Sequence, residues 1–417
     1  MRCSMEPSTR SETHVSAERV RAIARDAGAA RVAIASLDAQ GDGASARDAT
    51  FADLAASFAR GDLATWGFDD AYAATASDPR ALLPGARSVL CIAIPYANVA
   101  GSESAERARR SSAGPRGRVS NYAWSRDYHR HVRGILQRIA EAIDALASAK
   151  VTRVACDTVP LAERAFARAS GLGWVGKHTN LIAPELGSFV FLGEIVTTLA
   201  LVPGAPLKKT CGTCTRCIVA CPTGALRGDY TIDATRCISD LTQRTDAIPR
   251  ALRPLIGDWV WGCDLCGLAC PPSRNATAAI DAVFAPLDAD AAAPPLVELL
   301  ELRSGAYKRR YRASAMGWRG AAILRRNAAI ALGNAGDRAT VPALVRALTE
   351  DPHPLVRGHV AWALGRIGSP AAWAALAARR ALEGDQSVLA EIDAAFSDLE
   401  RASENGNLRH RWGVEAP

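Results

Sequence analysis

Eight cysteines between residues 211 and 270 are the first sign of chemistry in this chain. Cys211, Cys214, Cys217 and Cys221 stand at x2, x2 and x3 intervals, and Pro222 follows the fourth. The short gaps let one loop wrap three corners of an iron–sulfur cubane. The longer gap and the proline turn the last thiolate away, toward the other cluster of a bacterial two-cluster ferredoxin. Cys237, Cys263, Cys266 and Cys270–Pro271 make a second set. The crossed rule assigns Cys211, Cys214, Cys217 and Cys270 to one [4Fe–4S] cluster, and Cys221, Cys237, Cys263 and Cys266 to the other. Structural zinc also uses paired CxxC, but two linked copies of this run favour iron and sulfide. The CxxxCxxC of radical enzymes is absent, so the clusters are expected to carry electrons. Cys91 and Cys156 lie in apolar, strand-like runs and read as core residues, and Cys3 stands alone.

Electron transfer becomes catalysis only beside a reactive site. Asp157 ends the expected strand Val151–Cys156, where side chains of α/β folds face clefts; a turn or cap residue and an acid–base group both remain open. Gly171, Gly173 and Gly176 flank Trp174 in a tight turn with exposed backbone. GLGWVGK lacks the GK[ST] ending of a phosphate loop, and no dinucleotide fingerprint follows a strand. Two basic clusters stand out. Arg107, Arg109, Arg110, Arg116, Arg118, Arg126, Arg130 and Arg133 face one acid, Asp127; Arg303, Lys308, Arg309, Arg310, Arg312, Arg319, Arg325 and Arg326 face none. Tyr307, Tyr311 and Trp318 interleave the second cluster. Cations for phosphates beside rings for bases form a nucleic-acid footprint; a solvated basic face is the alternative, and for the first cluster neither prevails.

The elements that must position these groups are legible in outline. Ala17–Ala27 reads as a helix, and Arg31–Ala35, Ser88–Ile94, Val151–Cys156 and Ser188–Leu201 as strands. Val132, Ile135, Leu136, Ile139, Ile143 and Leu146 recur at helical spacing, with Ser125 or Asp127 as a cap. Strands alternating with helices indicate an α/β layer over residues 1–204. A ferredoxin-like module spans 205–275, an Ala/Asp/Pro-rich linker 276–295, a helical domain 296–400 and a flexible tail 401–417. Within the helical part, LRRNAAIALGNAG (324–336) matches VRGHVAWALGRIG (356–368) at an offset of 32, a HEAT-like pattern whose units must stack to bury their apolar faces.

At 417 residues, two or three domains are expected. The opening MRCSMEPSTRSETH has no apolar stretch of the kind a secretory signal needs, and no run reaches the ~18 apolar residues of a membrane span. Eleven cysteines in such a chain read as metal ligands rather than a disulfide scaffold. A soluble, cytoplasmic monomer with no membrane partner is expected.

CGTCTRCIVACPTGAL, CISDLTQ and GCDLCGLACP together resemble the epoxyqueuosine reductase family. So do DPRALLPGARSVL (78–90), NYAWSRDYH (121–129), the block from Asp157 to Glu194 and LRRNAAIALGNAGD. The resemblance runs from about residue 15 to 370. It implies a cobalamin-dependent reductase that removes the epoxide oxygen of epoxyqueuosine in tRNA anticodon loops, giving queuosine. The implied fold is α+β and multidomain: a nitroreductase-like α/β cobalamin domain shared with reductive dehalogenases, a two-cluster ferredoxin module, and C-terminal HEAT-like helices.

By the same resemblance Asp157 falls on the family's proton donor. Ser120, Asp157, His178, Asn180, Leu181, Ser188, Ser239, Gln243 and Asp264 fall near cobalamin, and Lys308, Arg309, Arg310, Arg312, Arg319, Arg325, Arg326 and Arg357 near tRNA. A free Asp titrates near ~3.9, so Asp157 is expected in a desolvated pocket. Asp127-Tyr-His129 lacks the glycine of a lower-ligand motif, so base-off cobalamin without a protein histidine on cobalt is expected. Asn121, Ser125–Arg126 and the stretch 51–70, which lacks a His-x-Gly-x-Met-x-Tyr-Leu pattern, depart from the family. A dehalogenase-like reductase of small molecules is the alternative, and an electron carrier docked through its repeats is another; the electron donor is of unknown identity.

Overall fold

The computed structural model describes residues 15–38, 43–63, 66–97, 99–110, 112–276 and 280–404. Cys3, the opening segment and residues 405–417 of the expected tail lie outside them; residues 401–404 continue the last helix, Gln386–Glu404. Eight strands occur among the described residues: β1 (Arg31–Ser36), β2 (Ser88–Pro95), β3 (Arg118–Val119), β4 (Thr152–Ala155), β5 (Trp174–Val175), β6 (Leu181–Ile182), β7 (Val190–Thr197) and β8 (Trp259–Trp261).

SVLCIAIP is apolar almost throughout because every residue of β2 is buried, inside a sheet of order β1–β2–β7–β4. All three pairings are antiparallel, which corrects the α/β reading of the first domain. Helices cover both faces, yet neighbouring strands oppose one another, so the architecture is α+β. On one face helix Tyr128–Ala147 buries Val132, Ile135, Leu136, Ile139 and Ile143 beside helix Ala17–Asp26. Asp127 caps that helix by accepting the His129 N–H. A Cβ on Gly193 of β7 would lie 2.8 Å from Leu136 Cδ1, so glycine sets how closely helix and sheet approach. The other face carries Phe166 and Ala167 of helix Glu163–Ala169, packed with Val89, Cys91 and Val196. Cys91 and Cys156 are buried.

β3 pairs in parallel with β8, Arg118 opposite Trp259 and Val119 opposite Trp261, which stitches the first domain to the iron–sulfur module. The expected linker is docked rather than free. The Pro294 and Ala292 carbonyls accept the N–H groups of Gly117 and Val119, and Phe284 joins the core under the first sheet.

The internal repeat falls on helices Ala321–Ala335 and Pro354–Ile367, which end at Gly336 and Gly368 in the left-handed region, φ 67° and 66°. Its other identities are equally structural. A Cβ on Gly333 would lie 2.8 Å from the Trp362 ring, and one on Gly365 2.6 Å from Ala395 Cβ, so each glycine lets its helix press on the next. Arg325 binds Asp351 and Arg357 binds Glu383, both 26 residues downstream.

Arg326 is fully buried. It donates to the carbonyls of Leu241, Arg244 and Asp246, while Asn327 donates to those of Thr242 and Val260. One core therefore runs from β8 through the repeats to Ile392. Arg326→Met would strand those three carbonyls. We expect it to lower the stability of the reconstituted chain by about 2–4 kcal/mol in denaturant unfolding; an unchanged midpoint would refute this role.

Candidate active site

The structure gathers the clustered cysteines into two neighbouring groups. Burial pushes the Cys217 thiol up, and Cys211 and Cys214 push it further. Burial does the same at Cys270, where Ser273 pulls back and Cys211 and Cys217 add to the rise. In the second group burial again leads. Cys237 lies in the field of Cys221, Cys263 in that of Cys266 and Cys237, and Cys266 in that of Cys237 and Cys221. Cys266 also feels Cys217 across the boundary. Among the described residues no three His, Cys, Asp or Glu side chains close on one point as a single ion requires.

The glycine turn before the module now has a purpose. Gly171 and Gly173 leave room for the Ala205 and Ile182 carbonyls, which a Cβ would meet at 2.2 and 2.5 Å. The turn delivers Lys177, whose backbone N–H points at Cys211 Sγ (3.4 Å) and whose ammonium holds the Gly212 carbonyl (2.8 Å). Hydrogen bonds to cluster sulfurs tune reduction potential.

Asp157 follows β4 with φ +49°, a conformation costing about 1 kcal/mol for a residue with a Cβ. Its N–H donates to Glu163 Oε1 at 2.6 Å, which holds that turn. Its carboxylate meets His129 Nε2 at 2.8 Å, while His129 Nδ1 meets Asp127 at 2.6 Å. Hydrogen bonding to Asp127 first, then to Asp157, raises the imidazole pKa to about 9, so His129 is an imidazolium near neutrality and donates to both. Tyr128 stacks on its ring at 4.2 Å. The Asp157 side chain is 50% exposed. The expected desolvated pocket is therefore replaced by a charged donor within hydrogen-bond reach.

Behind Glu163 lies Glu194, opposite Cys91 in the sheet and wholly buried. Burial raises both carboxyls; the Glu163 charge raises Glu194 further, and the Asp157 charge adds to the rise at Glu163. No amide, hydroxyl or cation reaches the Glu194 oxygens. Two carboxyls so placed need a proton between them.

Around this acid the polar groups assigned to a cofactor divide. Ser120 and Asp264 are spent on each other, and Asn121 adds its N–H and amide to the Asp264 carboxylate. Ser188 is tied to Ser273, which also supports Cys270. Ser239 accepts from Gln243, and Gln243 reaches Tyr122, a phenol whose pKa burial raises first and Asp264 and Asp157 raise further. Tyr122 thus lies in the fields of both Asp157 and Asp264. His178 is buried, Nδ1 accepting the Asn180 N–H while Nε2 has no protein partner; burial lowers its pKa to about 4. Leu181 is buried in β6 and Asn180 is exposed. A neutral imidazole with a vacant nitrogen leaves a hydrogen-bonding position open to a polar ligand.

The basic residues also divide. Lys308, Arg309 and Arg312 are exposed, and Arg319 is half-buried. Arg310 pairs with Asp288 and Asp290. Arg325, Arg326 and Arg357 are corrected: two are ion-paired pins of the repeat and one is a buried bridge, so none faces solvent as a phosphate ligand. In the first cluster Arg109 and Arg118 bind Glu106 and Asp258, and Arg116 binds Asp290; Arg107, Arg126 and Arg130 stay exposed.

His129, Tyr122, Glu163 and Glu194 escaped the reading of the sequence. The one available signal was an Asp and a His two residues apart at a helix start. Nothing local tells that His129 faces residue 157.

Comparisons with known proteins identify the family. A family described as 4Fe-4S double cluster binding domain matches residues 210–273, Epoxyqueuosine reductase QueG, DUF1730 matches 77–158, and HEAT repeats match 319–395. An epoxyqueuosine reductase of Bacillus cereus is 34% identical over 340 residues, 81% of this chain and 88% of the relative. One of Xanthomonas campestris is 38% identical over 354 residues, 84% and 96% of the two chains. Among solved structures, epoxyqueuosine reductase with an epoxyqueuosine-modified tRNA-Tyr stem loop aligns at a TM-score of 0.81 and 29% identity, covering 92% of this chain and 98% of that one. A Bacillus subtilis epoxyqueuosine reductase whose catalytic aspartate loop is swung out of the active site aligns at 0.81 and 30%, over 91% and 98%. With eight cysteines in two sets, an acid at the junction of three segments and relatives matched over most of their length, this chain belongs to the epoxyqueuosine reductase family.

Proposed function

We propose that this chain reduces epoxyqueuosine in a tRNA anticodon loop to queuosine, with Asp157 as proton donor and His129 as the reservoir behind it. The observation that carries this reading is the Asp127–His129–Asp157 chain of hydrogen bonds beside Tyr122 and the iron–sulfur module. Removing an epoxide oxygen takes two electrons and two protons and leaves an alkene and water. Clusters held by the eight cysteines would supply the electrons one at a time. His178, Asn180, Leu181, Ser188, Ser239 and Gln243 would hold cobalamin, with Ser120 and Asp264 bracing the wall, and the cofactor would supply the reducing power for breaking the C–O bond.

The departing oxygen leaves as an alkoxide and needs an acid within hydrogen-bond reach. A proton passed from His129 Nε2 through the Asp157 carboxyl answers that need, and Asp127 stabilises the imidazolium until the transfer. Glu163 keeps the Asp157 turn in place. Lys308, Arg309 and Arg312 supply phosphate contacts, with Arg319 beside them.

Anaerobic reconstitution with iron, sulfide and cobalamin, followed by assay of epoxyqueuosine-containing tRNA, tests the reading. Wild type should form queuosine, and Asp157→Asn should lose about 10²–10⁴-fold in rate with clusters and tRNA binding intact. Cofactor loading without conversion by wild type would sink it and favour a small-molecule substrate.

A pH profile tests the reservoir. The folded His129 value, about 9, lies above the free value of ~6.5. Its stabilising contribution is therefore complete below pH ~6.5 and is lost as pH rises through about 9. Turnover should fall across that window, and His129→Gln should be slow but lack that limb; an identical alkaline limb in the variant refutes the role.

Replacing Lys308, Arg309 and Arg312 together by Gln should flatten the slope of log K for tRNA against log salt by about 2–3. An unchanged slope places the phosphates elsewhere.

A further inference from the structure

The segment that departs from the family pattern ends in an aromatic array for which the reaction has no use. Tyr72 and Phe68 stack at 4.1 Å with planes 15° apart, and Trp66 continues the near-parallel series 6.3 Å from Phe68 at 16°. The next ring comes from the far end of the chain: Trp318 lies 6.0 Å from Trp66, planes 22° apart. The Arg319 guanidinium sits 3.7 Å over the Trp318 ring and 5.6 Å from that of Trp66. Two segments separated by some 250 residues thus bring two indoles and a guanidinium to one place.

A contact that served only to join the domains would bury these rings. Instead Trp66 is 38% and Trp318 53% exposed, and the Arg319 Nε, buried, has no hydrogen-bond partner. Large apolar faces in water beside an unused donor mark a place where something flat and hydrogen-bonding is missing. The platform is firmly mounted. Trp66 Nε1 donates to the buried Asp240 at 2.8 Å, and Asp240 belongs to helix Ile238–Gln243, whose last residue reaches Tyr122 at the reaction site. Trp318 follows Gly317, where a Cβ would strike the Arg312 carbonyl at 2.5 Å. Exposed Arg312, Arg309 and Lys308 lie just upstream.

Rings that stack, an arginine that stacks and donates, and nearby cations for a phosphate backbone together describe single-stranded nucleic acid. We propose that Trp66, Trp318 and Arg319 form a stacking platform for an unpaired base of the anticodon loop, flanking the nucleoside that enters the reaction site. This rests on the tRNA reading above. The platform supplies affinity and register, and the Asp240–Gln243 helix fixes its spacing from Tyr122 and Asp157.

The test uses the reconstituted full-length chain and anticodon stem loops lacking epoxyqueuosine, each carrying 2-aminopurine at one loop position. With wild type, binding should quench fluorescence at one position flanking the wobble site. Trp318→Ala should abolish that quench and weaken binding about 5- to 150-fold, the equivalent of one stacked base. Trp318→Phe should restore most of both, and Arg319→Gln should weaken binding less than Trp318→Ala. Thermal unfolding run alongside identifies a variant that has lost its fold, in which case Trp318→Phe and Arg319→Gln decide.

Tight stem-loop binding with no quenched position, or equal affinity in wild type and a folded Trp318→Ala, overturns the platform and leaves the reductase reading standing. A quench that depends on Trp318, from an enzyme that does not convert modified tRNA, sustains the platform and fells the reaction. Binding of no stem loop at all fells both and turns attention to a protein partner for the exposed indoles.

Discussion

The guanidinium of Arg326 lies where no water reaches and faces the carbonyls at the end of helix Ile238–Gln243. The last carbonyls of a helix lack partners within it and carry its negative dipole end. A buried cation answers both needs at once; burial lowers its pKa to about 9 against the pull of the Asp246 charge, and the carbonyls give its N–H groups partners where water cannot. Much of the molecule hangs on that one helix. Cys237 precedes it, Asp240 holds Trp66, and Gln243 reaches Tyr122. The helical repeats are therefore part of the frame of the active site as well as a neighbour of it.

Charge is arranged around Asp157 by the same logic of pairing. Two carboxylates, Asp127 and Asp157, face one imidazolium. Two more carboxyls, Glu163 and Glu194, lie deeper, where burial makes full ionisation of both untenable. Glu163 accepts the Asp157 backbone N–H and so holds the turn, while His129 meets the Asp157 carboxylate. The imidazolium keeps a proton next to an exposed carboxylate at neutral pH. The turn and the carboxylate it carries are thus held by different residues.

Clustering of arginines is a poor guide to what they bind. In the stretch from Arg303 to Arg326 the charges look uniform along the sequence, yet Arg325 neutralises Asp351, Arg326 is internal, and Arg310 is paired with two aspartates. Lys308, Arg309 and Arg312 remain exposed on and just after the last turn of helix Ser304–Arg310. The repeat identity Arg325/Arg357 is explained by equivalent ion pairs at equivalent spacing, so it reports stacking of helices rather than a shared ligand.

What could be read without coordinates was what depends on short-range spacing. The intervals among Cys211, Cys214, Cys217 and Cys221 encode a loop around a cubane, the run SVLCIAI encodes a strand, and the three-and-four spacing from Val132 to Leu146 encodes a helix with Ser125 or Asp127 at its start. Each is a property of neighbours in the chain, governed by local backbone geometry. The antiparallel order of the sheet, the docking of residues 280–295, the burial of Arg326 and Arg357, and the meeting of His129 with Asp157 and of Trp66 with Trp318 join residues from 26 to some 250 positions apart. Those contacts are selected by how whole surfaces exclude water and satisfy buried polar groups, a competition over the entire chain that no local pattern records. Cysteine spacing alone was enough to indicate two iron–sulfur clusters, because a cubane loop is a local geometry; which side chains stand beside Asp157 and which cations stay exposed depended on packing across the whole chain.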